Sequence, residues 1–113
     1  MKTTPAAIMS RGWLTERKCI EMREAVVERY FKKRCEAEGF LCYKFTSPGT
    51  DGVPDRVIIG HDMTVFVELK APGEKPRKLQ IHTFEEMRKH GARVYVVDTK
   101  EGADELLSEL LNL

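Results

Sequence analysis

Apolar residues recur at helical spacing over residues 15–38. They follow one another at three- and four-residue steps, which places them on one face of an α-helix. The pattern predicts a long first helix that Thr15 caps and Gly39 ends, with a buried stripe of Val27, Tyr30, Phe31 and Cys35. Residues 1–14 lack this periodicity, and we interpret them as an N-terminal arm that is flexible or docks on a partner.

Three apolar runs after this helix, at residues 40–45, 56–59 and 64–70, are typical of β-strands. A loop dense in turn-forming residues separates the first two runs. Gly60, His61 and Asp62 lie between the second and third runs and predict a tight hairpin turn. These two strands should therefore pair in antiparallel orientation.

The last third of the chain alternates helix and strand. Residues 77–90 predict a helix whose apolar residues turn mostly inward, namely Leu79, Ile81, Phe84 and Met87. Residues 94–97 predict a fourth strand, and residues 100–111 a closing helix with a leucine face. A helix between the third and fourth strands is the connection that parallel strands require. The order α-β-β-β-α-β-α thus predicts one α/β domain over residues 15–113, a mixed four-stranded sheet flanked by helices.

Composition restricts the class of protein. A chain of 113 residues with 42% apolar and 33% charged residues fits a single globular domain. The three cysteines have no CxxC spacing, and there is no signal peptide and no run of the roughly 20 apolar residues that a membrane span needs. We therefore expect an intracellular, cytoplasmic protein that is not secreted and does not cross a membrane.

The charge distribution leaves nucleic-acid binding open. The net charge is only +1, but basic residues cluster at positions 32–34, 75–78 and 88–90. Each cluster taken alone predicts a solvated surface, and only convergence on one face would form a phosphate-binding surface. The three histidines have no metal-binding spacing, which argues against a zinc site.

Two acids and a lysine lie at the ends of two very apolar strands. Asp55 precedes the second strand, and Glu68 and Lys70 end the third, where strand alternation directs both side chains to the same face. If the hairpin registers around residues 60–63, Asp55 lies close to Glu68 and Lys70. Gly49 and Gly52, in the preceding loop, would let the backbone approach a ligand closely.

This arrangement is suited to metal-dependent hydrolysis. Neighbouring carboxylates repel one another unless a cation lies between them, and Mg²⁺ prefers oxygen ligands. A water activated by the metal could attack a phosphodiester, and Lys70 could orient that water or neutralise the developing charge. The alternative interpretation is an ordinary surface pair of Glu68 and Lys70 on an edge strand.

The ordered set of motifs resembles the PD-(D/E)XK nucleases and, more narrowly, the virus-type replication-repair nuclease (VRR-NUC) family. The resemblance covers about residues 20–105 and depends on these segments: residues 44–49, Gly52 to Arg56, Phe66 to Gly73, Gln80, and Gly91 to Asp98. It implies a restriction-endonuclease-like fold and a nuclease that requires Mg²⁺ or Mn²⁺ and leaves a 5′-phosphate.

The resemblance also implies roles for individual residues. Asp55 and Glu68 would be metal ligands with the carbonyl of Leu69 as a third, and Lys70 would be the catalytic lysine. Gln80 would help to position the water or the scissile phosphate. The family completes its metal site with a glutamate on the first helix, for which this chain offers three residues: Glu24 as the best fit by its distance to Gly39, Glu28 one turn later as a substitute, and Glu21 near the same face.

Contacts to DNA follow from the same resemblance and from the basic residues around the motifs. The family contacts the backbone of its substrate where this chain has Lys44, Thr46 and Ser47. The basic cluster after the lysine of the motif adds three further candidates, Lys75, Arg77 and Lys78.

Lone domains of this family resemble branched-DNA resolvases of phage or bacterial type that act as homodimers. We therefore predict an endonuclease for branched DNA, such as a Holliday junction, with a role in DNA repair. Trp13 in the arm and the leucine-rich last helix are candidates for the dimer surface. Two other functions stay open: a module that recognises DNA structure without cutting it, and a subunit of a larger replication or repair complex.

Overall fold

The computed structural model describes the backbone of residues 12–113 and the side chains from residue 16 onward. It contains α1 (Gly12–Ala37), β1 (Leu41–Lys44), β2 (Arg56–Gly60), β3 (Met63–Leu69), α2 (Lys78–Lys89), β4 (Arg93–Val97) and α3 (Lys100–Leu111). The predicted order of elements is confirmed. Helix α1 begins three residues before the predicted start, so residues 12–14 are helical rather than part of an arm. The rest of the predicted arm and the side chain of Trp13 lie outside the described part of the chain.

The four strands form one mixed sheet in the order β1-β2-β3-β4. The β1–β2 and β2–β3 pairs are antiparallel, whereas β3 and β4 are parallel, as the helical crossover between them predicted. The β2–β3 hairpin closes through His61 and Asp62, which have φ angles of 51° and 62°. Two left-handed residues in a two-residue turn match the twist of the flanking strands, and the turn aligns Gly60 with Met63.

Helices α1 and α3 pack together against one face of this sheet. The core cluster combines the predicted α1 stripe (Val27, Phe31 and Cys35) with inward residues of the strands and with α3 residues Leu106, Leu107 and Leu110. Tyr30 is only half-buried, and its hydroxyl donates to Asp104 of α3 at 2.8 Å. Arg34 Nε donates to the same carboxylate at 3.0 Å, so a polar cluster at the rim also joins the two helices.

Two predictions about helix faces were wrong. Leu79 and Ile81 of α2 are 52% and 45% exposed, whereas the residues that α2 buries are Gln80, Thr83 and Phe84. Positions 80, 83 and 84 share one helical face, and positions 79 and 81 flank it. In α3 the predicted leucine face is buried within the chain's own core except for the exposed Leu111, so it does not offer the dimer surface that we considered.

None of the helices that the structure describes combines the length and the apolar character needed to cross a membrane.

Cys35 and Cys42 are buried, as small apolar residues are, whereas Cys19 is exposed on α1.

Candidate active site

Asp55 and Glu68 are directly linked at one edge of the hairpin. The register pairs Arg56 with Val67, which brings the residue before β2 next to the end of β3. The backbone N–H of Asp55 donates to Glu68 Oε1 at 3.2 Å, and the N–H of Leu69 donates to Asp55 Oδ2 at 3.1 Å. The two predicted carboxylates therefore lie side by side, each held by a backbone donor from the other strand.

Lys70 completes this pair. Its Nζ lies 3.1 Å from Glu68 Oε2, and the two side chains are 17% and 2% exposed. The backbone N–H of Lys70 donates to the carbonyl of Val97 at 3.0 Å, which continues the β3–β4 pairing beyond the end of β3. Glu68 and Lys70 are therefore a largely buried ion pair and not the solvated surface pair that was the alternative interpretation.

Gln80 contacts Glu68 directly. Its Nε2 donates to Glu68 Oε2 at 2.8 Å, and its Oε1 accepts the backbone N–H of Arg77 at 2.9 Å. Gln80 is only 7% exposed, so the first turn of α2 holds its amide in place. The group that Gln80 orients in this structure is the Glu68 carboxylate.

Burial disfavours the charged forms of both acids, and at Glu68 the negative charge of Asp55 adds to the effect. Burial is the largest cause that raises the pKa of Asp55, and Leu69 N–H and Lys70 oppose it. Burial also raises the pKa of Glu68 most, followed by the negative charge of Asp55, while Lys70 and Gln80 stabilise the ionised form. Two adjacent oxygen ligands that resist ionisation fit a hard divalent cation, because such a cation would relieve both effects.

The structure distinguishes the candidate glutamates of α1. Burial raises the pKa of Glu24, and the next-largest causes are Asp55, which raises it, and Lys70, which lowers it, so Glu24 lies within the field of the site. Glu28 also raises the pKa of Asp55, but its Oε2 is paired with Arg56 Nη2 at 3.2 Å. From residue 16 onward, no three acidic, histidine or cysteine side chains lie close enough together to hold a metal ion, so Glu24 stands apart from the Asp55–Glu68 pair.

A groove of about 760 Å³ opens beside Lys70, between α1 and the loop that follows β3. Glu24 and two of the predicted DNA-binding residues, Lys75 and Arg77, line it. Arg17 and Glu21 of α1 line it as well. Sequence reasoning missed Arg17, although positions 17, 21 and 24 lie at the spacing of one helix face, which was the available signal.

The remaining predicted DNA contacts lie around this site. The N–H of Phe45 donates to the carbonyl of Asp55 at 2.7 Å, which brings the end of β1 beside the acids. Lys44 and Thr46 are exposed there and Ser47 is half-buried, and Lys78 is exposed at the start of α2. The other two basic clusters have members in internal contacts: Arg34 binds Asp104, and Arg88 donates to the carbonyl of Val94.

Gly52 approaches a helix and not an open ligand site. With φ at 86°, a Cβ at this position would lie 2.9 Å from Thr83 Oγ1 and 3.1 Å from the carbonyl oxygen of Leu79. Thr83 Oγ1 donates to the carbonyl of Asp51 at 3.1 Å, so this contact fixes the loop before Asp55 against α2. At Gly49, by contrast, a Cβ would have no neighbour within 4 Å. The expectation that both glycines admit a ligand is therefore replaced, for Gly52, by a packing role.

A mixed four-stranded sheet with an acid before its second strand and a Glu-x-Lys triplet at the end of its third defines a nuclease domain of the restriction-endonuclease-like class. A solved structure described as a VRR_NUC domain matches with a TM-score of 0.71 and 35% identity, over 76% of this chain and 95% of that one. "Putative nuclease p44" of Acyrthosiphon pisum secondary endosymbiont phage 1 is 37% identical over 81 residues, 71% of this chain and 87% of that protein. No protein-family model matches the chain. The chain belongs to the VRR-NUC family of nuclease domains.

Proposed function

We propose that this chain is a metal-dependent endonuclease that hydrolyses phosphodiesters in DNA. The observation that carries the proposal is the linked set of Asp55, Glu68 and Lys70, with 3.2 Å between Asp55 N and Glu68 Oε1 and 3.1 Å between Lys70 Nζ and Glu68 Oε2. Membership of a nuclease family supports the same activity. An intact pair of acids beside a lysine favours catalysis over binding alone.

Asp55 and Glu68 would hold Mg²⁺ or Mn²⁺, with the carbonyl of Leu69 and a contribution from Glu24. The chemistry that such a cation supplies is Lewis-acid activation of a water and neutralisation of charge on the phosphate. Lys70, held at the rim by Glu68, would donate to the negative charge that develops on the phosphoryl oxygens during in-line attack. Gln80 would keep the Glu68 carboxylate in one orientation, so that its oxygens need not reorganise during the reaction.

The groove beside Lys70 supports contact with a nucleic-acid backbone. Lys75 and Arg77 place positive charge along it, next to the proposed metal site. On the other side of the acids, Lys44, Thr46 and Ser47 would contact the same substrate. The acidic residues Glu16 and Glu74 on the groove wall would confine the backbone to its basic part.

We further propose branched DNA as the substrate and a homodimer as the active form. Two active sites related by a two-fold axis would match the two strands that must be cut to resolve a four-way junction. A substrate of this kind arises in DNA repair and replication, in the cytoplasm of a bacterial or phage-infected cell.

Cleavage of a synthetic four-way junction, a flap and a linear duplex would test the activity. Each substrate should be incubated with Mg²⁺, Mn²⁺ or EDTA, and wild type compared with Glu68→Ala. We expect symmetric nicks in the junction with either metal and none in EDTA or with the variant. Cutting that survives EDTA or Glu68→Ala would disprove the mechanism, and flap-only cutting would replace the resolvase by a processing nuclease.

The same experiment separates the two alternative functions. Tight junction binding by the wild type with no cleavage in either metal would identify a non-catalytic DNA-structure-binding module. Cleavage of every substrate without preference would favour a catalytic subunit whose specificity comes from a partner in a larger complex.

A further inference from the structure

Arg56 is a buried charge that the proposed chemistry does not use. It follows Asp55 directly and begins β2, and the residue is 6% exposed. Its Nη2 lies 3.2 Å from Glu28 Oε2, whereas its buried Nε has no hydrogen-bond partner among the described residues. A buried arginine with an unmet donor stabilises a fold poorly compared with an apolar residue of similar size. Its presence beside a candidate catalytic acid therefore calls for a functional explanation.

The ion pair joins α1 to the start of β2. Strand alternation puts Arg56 on the same face of β2 as the core residue Ile58, which is the face that α1 covers. Glu28, the partner of Arg56, lies one helical turn after Glu24 on the same face of α1. A contact that holds Glu28 therefore also limits the rotation of the helix that carries Glu24.

The two glutamates consequently occupy different electrostatic environments. Both lie within the field of Asp55, but Glu28 faces the guanidinium of Arg56, whereas Glu24 lines the groove with Lys70. Without the pair, the Glu28 carboxylate, whose charge already raises the pKa of Asp55, would be free to turn toward the acids and compete with Glu24. With the pair, Arg56 holds the Glu28 carboxylate, and Glu24 is the one of the two that lines the groove with Lys70.

We propose that Arg56 is a positioning residue: by binding Glu28 it sets the rotation of α1 that presents Glu24 to Asp55 and Lys70. The inference rests on the proposed function, because it gives Glu24 a part in holding the divalent cation. Arg56 itself touches neither the proposed cation nor the substrate, and it acts through the helix.

A double-mutant cycle on Mn²⁺ affinity, measured by isothermal titration calorimetry without DNA, tests the inference. Arg56→Met keeps the length and packing of the side chain and removes its charge. We expect it to weaken Mn²⁺ binding about tenfold in the wild-type background, the size found for residues that orient ligands. In a Glu24→Gln background the same change should have no further effect, because Glu24 no longer contributes.

A second ion pair of α1 provides the matched control. Arg34 binds Asp104 and joins α1 to α3 away from the acids. Arg34→Met should lower the melting temperature while leaving Mn²⁺ affinity unchanged. Glu28→Gln removes the charge that Arg56 binds, so it should weaken Mn²⁺ binding as Arg56→Met does. This second variant keeps the test valid if one of the two does not fold.

Unchanged Mn²⁺ affinity in Arg56→Met and Glu28→Gln would overturn the inference. An equal loss in the presence and absence of Glu24 would also overturn it, because Arg56 would then act independently of that residue. Failure of the proposed function gives a different result. Glu68→Gln would then bind Mn²⁺ as tightly as the wild type, whether or not Arg56 is substituted.

Discussion

The backbone N–H of Asp55 donates a hydrogen bond to Oε1 of Glu68 over 3.2 Å, so the two strands of one hairpin hold the two candidate metal ligands together. The return bond runs from the N–H of Leu69 to Oδ2 of Asp55. Each carboxylate thus keeps its place through backbone atoms of the other strand. Without a cation, burial raises the pKa of both carboxyls, and the negative charge of Asp55 raises that of Glu68 further.

Asp55→Asn should stabilise the metal-free protein at neutral pH. Burial raises the pKa of Asp55 above its ordinary value of 3.8, so the ionised carboxylate opposes folding at pH values above that ordinary value. As the pH falls through the raised pKa, the folded protein takes up a proton and the penalty shrinks, and it is gone below the ordinary value. We expect the melting temperature of the variant in EDTA to exceed that of wild type by about 4 °C at neutral pH, and the two to converge in acid.

Divalent metal should make the wild type melt at a higher temperature than Asp55→Asn. Mn²⁺ at about a hundred times its dissociation constant adds roughly 2.7 kcal/mol to a protein that binds it only when folded. Wild type should therefore gain stability from Mn²⁺ and Asp55→Asn much less, as thermal melts with and without the metal would measure. A variant that melts below wild type in EDTA at neutral pH would contradict the electrostatic argument.

Gln80→Glu should reduce cleavage while preserving the start of α2. The new carboxylate can still accept the N–H of Arg77, but it replaces the amide that donates to Glu68 Oε2 with a negative charge. We expect a loss of about 10- to 100-fold in kcat on the cleaved substrate, with the far-ultraviolet circular dichroism unchanged. Gln80→Met, which removes both hydrogen bonds without adding charge, is the comparison. A kcat equal to wild type for both variants would show that Gln80 does not orient Glu68.

Gly52→Ala should destabilise the fold, whereas Gly49→Ala should not. Gly52 has a φ of 86°, and a Cβ there would meet Thr83 Oγ1 at 2.9 Å and the Leu79 carbonyl at 3.1 Å, whereas nothing lies within 4 Å of a Cβ at Gly49. We expect Gly52→Ala to lower the free energy of unfolding by about 2 kcal/mol in urea titrations. Equal stabilities for the two variants would refute the packing role of Gly52.

Asp104→Asn should alter the pH dependence of stability in the sense opposite to Asp55→Asn. Arg34 and Tyr30 donate to Asp104 and lower its pKa. Its stabilising contribution is therefore present above the pKa of the unfolded chain and is lost as the pH falls through the lower pKa of the folded state. Urea titrations should show wild type as the more stable protein at neutral pH, with the difference vanishing in strong acid. A constant difference at all pH values would mean that the carboxylate charge is not involved.

Sequence alone was sufficient wherever local rules decide the outcome. A two-residue turn at His61 and Asp62 sets the hairpin register, and a period of two then determines which strand residues share a face. The proximity of Asp55, Glu68 and Lys70 follows from these two rules. The parallel β3–β4 pairing follows from the helix between them, because a short hairpin cannot connect parallel strands.

Only the tertiary structure showed which face of each helix is buried, because that depends on how the helix rotates against the rest of the fold. The exposure of Leu79 and Ile81 was not predictable, because an apolar pattern does not say that α2 buries the polar residues Gln80 and Thr83 instead. Packing also decided that Gln80 meets the carboxylate of Glu68. These contacts join residues distant in sequence, and their geometry arises only when the elements pack.

The sequence by itself determined the nuclease family and the pair of acids with its lysine, because both depend on motif order and on one hairpin. It left Glu24 and Glu28 as alternatives, since residues four apart lie on the same face of a helix. Only the tertiary structure gave them different neighbours, by placing the buried guanidinium of Arg56 against Glu28 and Glu24 in the groove beside Lys70. The physical reason is that a helix carries both glutamates on one side, and only a contact from another element can fix its rotation.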